Sequence, residues 1–232
     1  MKAREEIRAL ANKEIAQHSL RFFKTDKGEY GHGDLFLGVR APQIRLIAKK
    51  HIDISITDMK TLIQSKYHEE RFLGLIIIVN KYAKTKDKKN RNQLYKIYVS
   101  SFKYINNWNL VDVTCPHVTG KHLIDKDRTI LYKWAKSEDL WTKRIAMVST
   151  FSFIRKNDLE DTFKIAEILL QDKHDLIHKA VGWMLREAGK RDIKKEEIFL
   201  KKHYKTMPRT MLRYAIERFP EAKRQKYLKG RI

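Results

Sequence analysis

Apolar residues recur along this chain at intervals of three and four, and few stretches break the rhythm. The first segment, 2–23, places Ile7, Leu10, Ala11, Ile15 and Leu20 mostly on one side of a single opening helix. A polar, glycine-containing loop follows at 24–34, and then the run 35–42, whose Pro42 suits the first turn of a helix continuing through 43–50. Further helices are expected at 57–65, 68–84, 90–103, 108–124, 127–136, 139–154, 158–171, 174–188, 193–203, 208–218 and 221–229. Pro116 should break or kink the one at 108–124. The segment 72–79 is partly β-branched, yet it lies inside a longer helical pattern opened by His68-Glu69-Glu70. No stretch alternates with period two long enough to make a strand, so the chain reads as all-α.

Four prolines, nine glycines and short charged linkers, of which 84–89 is the most basic, leave no interdomain tether. The 232 residues are therefore expected to form one helical-repeat domain, 1–232. The segment Asp139-Leu140-Trp141-Thr142-Lys143-Arg144-Ile145-Ala146-Met147 aligns with Asp175-Leu176-Ile177-His178-Lys179-Ala180-Val181-Gly182-Trp183 at an offset of 36 residues. Arg71 lies 73 residues before Arg144, about two such periods. That spacing, with two helices per unit, is the pattern of a helical solenoid with one helix of each pair on a concave face.

Charge narrows the partners. Fifty Lys and Arg against 28 Asp and Glu give a formal net charge of +22. Such an excess favours a polyanion, nucleic acid before an anionic membrane. The single cysteine, Cys115, excludes an internal disulfide and a multi-cysteine zinc site; His117 and His122 lie near it without forming a ligand pattern, and no metal is expected. The polar stretch 1–17 is not a signal peptide, and 72–79 is too short to span a bilayer. A cytoplasmic protein is expected.

Three aromatic-charged clusters fall at helical spacing. Trp108 and Asp112 are four apart, behind Asn106 and Asn107, which suit a helix start. On spacing alone, the simpler reading of the first cluster is Trp108 packed in the core and Asp112 paired with a nearby arginine. Trp141 and Arg144 are three apart, with Lys143 adjacent. Lys179, Trp183, Arg186 and Lys190 follow at steps of four, three and four. Cations on such stripes suit phosphates, and interleaved indoles suit stacking on bases or sugars.

Taken in order, these residues resemble the AlkD-type DNA alkylation-repair glycosylases, which are built of HEAT-like helical repeats. The resemblance runs through Phe36-Leu37-Gly38-Val39-Arg40-Ala41-Pro42, Trp108 to Asp112, Trp141-Thr142-Lys143-Arg144, Lys179 to Glu187 and Pro208 to Glu217. It is poorest at 84–89 and after Phe219. It implies a HEAT-like helical-repeat solenoid with a concave basic face. It also implies a hydrolase that excises cationic alkylated purines, 3-alkyladenine and 7-alkylguanine, from duplex DNA without drawing the base into a pocket. By that resemblance Asp112 is the catalytic carboxylate, Trp108 and Trp183 flank the lesion nucleotide, and Arg144 belongs to the same site near the backbone. Arg40, Arg45, Lys143, Lys179, Arg186 and Lys190 are the candidate DNA contacts. A subset of the family lacks the catalytic Trp and Asp and only binds DNA, whereas this chain keeps both. No cofactor, membrane or obligate protein partner is expected, and the protein should act as a monomer on double-stranded DNA, nucleoid-associated when bound. A non-catalytic DNA-structure binder would share fold and charge but release no base; a protein-binding adaptor would show an apolar groove in place of Trp and Arg stripes.

Overall fold

The helical rhythm of the sequence is realised throughout. The computed structural model describes residues 1–232 and is all-α, its one β-like feature an isolated parallel bridge between Leu35 and Tyr67. In chain order the helices are α1 (Lys2–Ala9), α2 (Lys13–Phe22), α3 (Ala41–Lys50), α4 (Ile56–Ile63), α5 (His68–Lys84), α6 (Lys88–Ser100), α7 (Trp108–Asp112) and α8 (Lys121–Leu123). They continue with α9 (Thr129–Ala135), α10 (Leu140–Ser149), α11 (Phe151–Ile154), α12 (Glu160–Ile168), α13 (Asp175–Gly189), α14 (Ile193–His203), α15 (Arg209–Ala215) and α16 (Glu221–Leu228).

Three expected helices are shorter than their apolar periodicity suggests, each for a local reason. The opening helix is two, because the Asn12 N–H leaves the helical ladder to donate to the Leu37 carbonyl (2.8 Å) while its side chain caps α2 at the Ile15 N–H (3.0 Å). The helix expected over 139–154 divides after Ser149, where the Thr150 hydroxyl donates back to the Met147 carbonyl at 2.7 Å. The helix expected over 108–124 is the five-residue α7, then an irregular turn and a π-helical turn at Pro116–Gly120. Proline has no N–H to continue the ladder.

The contacts divide into two compact units, Met1–His122 and Leu123–Ile232. In the first, α5 is the central element, packed by α3, α4 and α6. Every residue of α5 from His68 to Ile78 is buried, so this helix is surrounded rather than amphipathic. In the second, α13 is central, with α10, α14 and α15 against it. The repeat offset seen in the sequence corresponds here to α10 and α13, which pack on each other. Asp139 caps α10 by accepting the Thr142 N–H at 2.7 Å, and Asp175 opens α13. No helix is long and apolar enough to cross a membrane.

Candidate active site

Four consecutive polar residues at the start of α5 are all buried, and between them they reach three parts of the first unit. Glu69 accepts the backbone N–H groups of Leu37 (2.9 Å), Gly38 (2.8 Å) and Val39 (3.3 Å). It thereby fixes the loop before α3. Gly38 has φ of +81°, and a Cβ there would lie 2.0 Å from the Asn12 carbonyl oxygen, so only glycine allows this approach. Glu70 pairs with Arg4 (3.0 Å) and Arg8 (2.6 Å) and ties α1 down. Arg71 donates to Asp34 Oδ1 (2.7 Å), to Asn106 Oδ1 (2.9 Å) and to the Ser65 carbonyl (3.0 Å). Asn106 in turn donates to Asp34 Oδ1 at 2.8 Å. His68 faces Asp34 Oδ2 with Nδ1 (3.3 Å) and Asn109 Nδ2 with Nε2 (2.9 Å).

The protonation states follow from these partners. Burial by itself would raise the Asp34 carboxyl, but the His68 hydrogen bond, the Arg71 charge and the Asn106 amide outweigh it and hold the group below the ordinary aspartate range. Burial lowers His68 below the ordinary histidine range, against the pull of Asp34. Asp34 is thus an anion and His68 neutral. An anion only accepts, so His68 carries its proton on Nδ1 and accepts from Asn109 at Nε2.

Asn106 and Asn109 flank Trp108, so this network ends at the turn that carries the predicted catalytic pair. Trp108 is partly exposed rather than sunk in the core. Its Nε1–H donates to the Tyr30 hydroxyl at 3.2 Å, and its ring lies 5.9 Å from Phe22 and 5.7 Å from Phe23. Phe22 remains 54% exposed. Asp112 is also partly exposed, one turn beyond Trp108 on α7. Its charge joins burial in holding the Tyr98 phenol well above its ordinary range.

The other two predicted catalytic residues belong to the second unit. Arg144, on α10, is 5% exposed and donates through Nη1 to the Leu176 carbonyl in the first turn of α13. Lys143 reaches Asp172, just before that helix, at 2.5 Å. Trp183 lies on α13, partly exposed, with the Phe151 ring 5.8 Å away. The stripe Lys179, Trp183, Arg186, Lys190 is the solvent-facing side of α13, because Ile177, Ala180, Val181, Met184, Leu185 and Ala188 are buried. Its cations hold local partners: Lys179 with Asp175 (2.7 Å), Lys190 with Glu187 (2.7 Å), and Arg186 with Glu217. Trp141 departs from its sequence reading as a stacking residue: at 8% exposure it is a core side chain. Arg40 and Arg45 are exposed at the start of α3, with Arg45 5.9 Å over the Phe72 ring. His122 stacks on Tyr95 at 3.9 Å, and Cys115 is buried.

A family model described as DNA alkylation repair enzyme matches residues 3–219. The chain belongs to that family. The match stops at Phe219, where the resemblance of the sequence also fades. Among solved structures, a predicted DNA alkylation repair enzyme from Enterococcus faecalis is similar over 91% of this chain and 97% of its own, with TM-score 0.72 and 16% identity. AlkD2 from Streptococcus mutans is similar over 95% and 96%, with TM-score 0.56 and 18% identity. The smu.31 protein of Streptococcus mutans UA159 is similar over 90% and 92%, with TM-score 0.52 and 19% identity. These likenesses establish a shared helical-repeat fold. No curated protein sequence matches the chain. Sequence reasoning passed over the buried quartet His68-Glu69-Glu70-Arg71, reading its first three members only as a helix opener. Four charged or polar residues directly before the apolar run 72–78 were the available signal, since a surrounded helix must bury them too.

Proposed function

We propose that this DNA alkylation repair enzyme is a glycosylase that hydrolyses the N-glycosidic bond of cationic alkylated purines, 3-alkyladenine and 7-alkylguanine, in duplex DNA. The observation that carries the reading is α7. An indole and a carboxylate stand one turn apart, both partly exposed, on a segment anchored by a buried polar network. An alkylated purine is already positively charged and leaves readily. As its bond to the sugar breaks, the sugar becomes oxocarbenium-like, and a nearby carboxylate stabilises that charge and orients the attacking water. Trp108 supplies an electron-rich face that attracts a cationic nucleotide. The cations on α13 make solvent-facing ion pairs, which contribute little to stability and yield readily to phosphates. Leaving the lesion in the helix suits a chain whose aromatic and acidic groups lie on a partly exposed turn.

The test is release of 7-methylguanine from methylated duplex DNA under single-turnover conditions, with wild type beside Asp112→Asn. The variant should be slower by about 30- to 1,000-fold, equivalent to roughly 2–4 kcal/mol of barrier, with unchanged melting temperature and equal or tighter DNA binding. Excision at the wild-type rate by a variant that melts and binds normally removes Asp112 from the reaction. A wild type that binds DNA and releases no base makes the protein a DNA-structure binder.

A further inference from the structure

A helix of five residues does not hold itself in place, because its few internal bonds do not repay the cost of nucleation. The direction in which α7 presents Asp112 is therefore set from outside. Leu110 and Val111 are fully buried and decide which face of the turn points inward, while the finer placement of its exposed side chains is left to hydrogen bonds. Directional contacts on this turn include those of the Asn106 and Asn109 amides, the Trp108 N–H, and the Thr114 hydroxyl, which donates to the Leu110 carbonyl at 2.5 Å. Asn109 lies three residues before Asp112 on the same turn. Its Nδ2 donates to His68 Nε2, and its Oδ1 is buried without a hydrogen bond.

His68 is suited to hold that amide. Its ring is 2% exposed and lies against Phe23 at 5.0 Å and Phe36 at 4.9 Å, which keeps water away. Its two nitrogens have opposite duties, Nδ1–H toward Asp34 and a lone pair at Nε2 toward Asn109. We propose that His68 is a positioning residue, acting through the Nε2 lone pair on Asn109 to set the placement of Asp112 for purine excision. The inference rests on the glycosylase reading. The charged groups that face the imidazole are Asp34 from the loop before α3, and Glu69 and Arg71 from α5 itself; the first two favour a second proton and the third opposes it. A second proton on the wild-type ring would set an N–H donor against the Asn109 donor and break this hydrogen bond as it stands.

The proposal is tested through Asn109, which is partly exposed, so its substitution spares the core. Asn109→Leu removes the bond. Asn109→Asp sets a carboxylate against the lone pair, so that His68 can satisfy both acids only by taking a second proton. Three quantities are measured on wild type and both variants: single-turnover release of 7-methylguanine, DNA affinity and melting temperature. In the free protein, 15N shifts of the His68 imidazole and the Trp108 indole N–H resonance are recorded from about pH 5 to 8. Asn109→Leu should excise about tenfold slower or worse, with unchanged DNA affinity, a melting temperature lowered only by the loss of one partly buried hydrogen bond, and a displaced Trp108 resonance. Asn109→Asp should be similarly slow at the alkaline end and recover toward wild type as pH falls and His68 titrates. A purely structural role would not produce that inversion. Wild-type rates in both variants at every pH, or an Nε2–H tautomer at His68 in the wild type, would overturn the proposal. A wild type that releases no purine overturns the glycosylase reading instead; the imidazole shifts and the Trp108 resonance then uphold or overturn the clamp by themselves.

Discussion

The two units bury acidic side chains under opposite conditions. In the first, Asp34, Glu69 and Glu70 are all buried, and each meets cations or backbone N–H groups: Arg71 and His68, the amides of 37–39, and Arg4 with Arg8. In the second, Glu196 on α14 is 1% exposed and its Oε1 finds no hydrogen-bond partner. Burial, together with the neighbouring Glu197 charge and against Arg186, pushes its carboxyl up to about 8. The first unit therefore uses partnered acidic groups to fasten loops, α1 and α7 to one helix. The second has ion pairs at its helix ends, such as Lys143–Asp172, but keeps Glu196, its most buried acid, protonated at neutral pH. The cause lies in the elements to be placed. The five-residue α7 depends on directional anchors, whereas the 15-residue α13 forms its own ladder and settles mainly through its apolar face, with Arg144 and Lys143 holding its N-terminal end.

This comparison breaks first, and hardest, at Arg71. Arg71→Ala leaves Asp34 buried without its cation and strips Asn106 of a donor, and should destabilise the protein by about 3–5 kcal/mol in urea unfolding. A loss below about 1 kcal/mol, the range of a surface pair, would mean that the network is ornamental.

Gly182 probes the second unit. A Cβ there would lie 2.4 Å from the Met211 carbonyl oxygen and 2.5 Å from Tyr214 Cβ, so α15 must move for alanine to fit beneath the helix that carries Trp183. Gly182→Ala should cost about 1–3 kcal/mol by overpacking, with little dependence on pH or salt. A neutral substitution would show that α13 and α15 are free to part.

The finest contrast is in pH. Glu196 holds its proton to about 8 in the fold against an ordinary 4.5, so the folded state binds more protons across that interval and its stability falls as pH rises through it. Asp34, held low, acts in the other direction: its contribution is present at neutral pH and is lost only as pH falls through the acid range. Glu196→Gln should flatten the decline between about pH 5 and 8 and leave the acid limb unchanged, as followed by urea unfolding at several pH values. An unchanged slope would show that Glu196 is ionised and paired in solution.

Much was legible in the chain before folding. Apolar spacing placed nearly every helix, with α5 and α14 at the expected limits, because the 3.6-residue period is local. The 36-residue offset anticipated that α10 and α13 would be equivalent neighbours. Order and spacing of short motifs pointed to the DNA alkylation repair family, since residue identity along the chain is what a family shares. Tertiary structure alone decided which members of those motifs are surface and which are core. Trp141 and Trp183 sit in aligned stretches, yet one is buried and the other partly exposed. It alone decided where helices stop early, because Asn12 and Thr150 find hydrogen-bond partners outside their own ladders or back along them. And it alone joined Asp34, His68, Arg71, Asn106 and Asn109, which are scattered over 76 positions. Periodicity reports which face of a helix is apolar. It does not report that a buried arginine and histidine share an aspartate and each hold an asparagine, because that depends on distances set only when three separate segments meet.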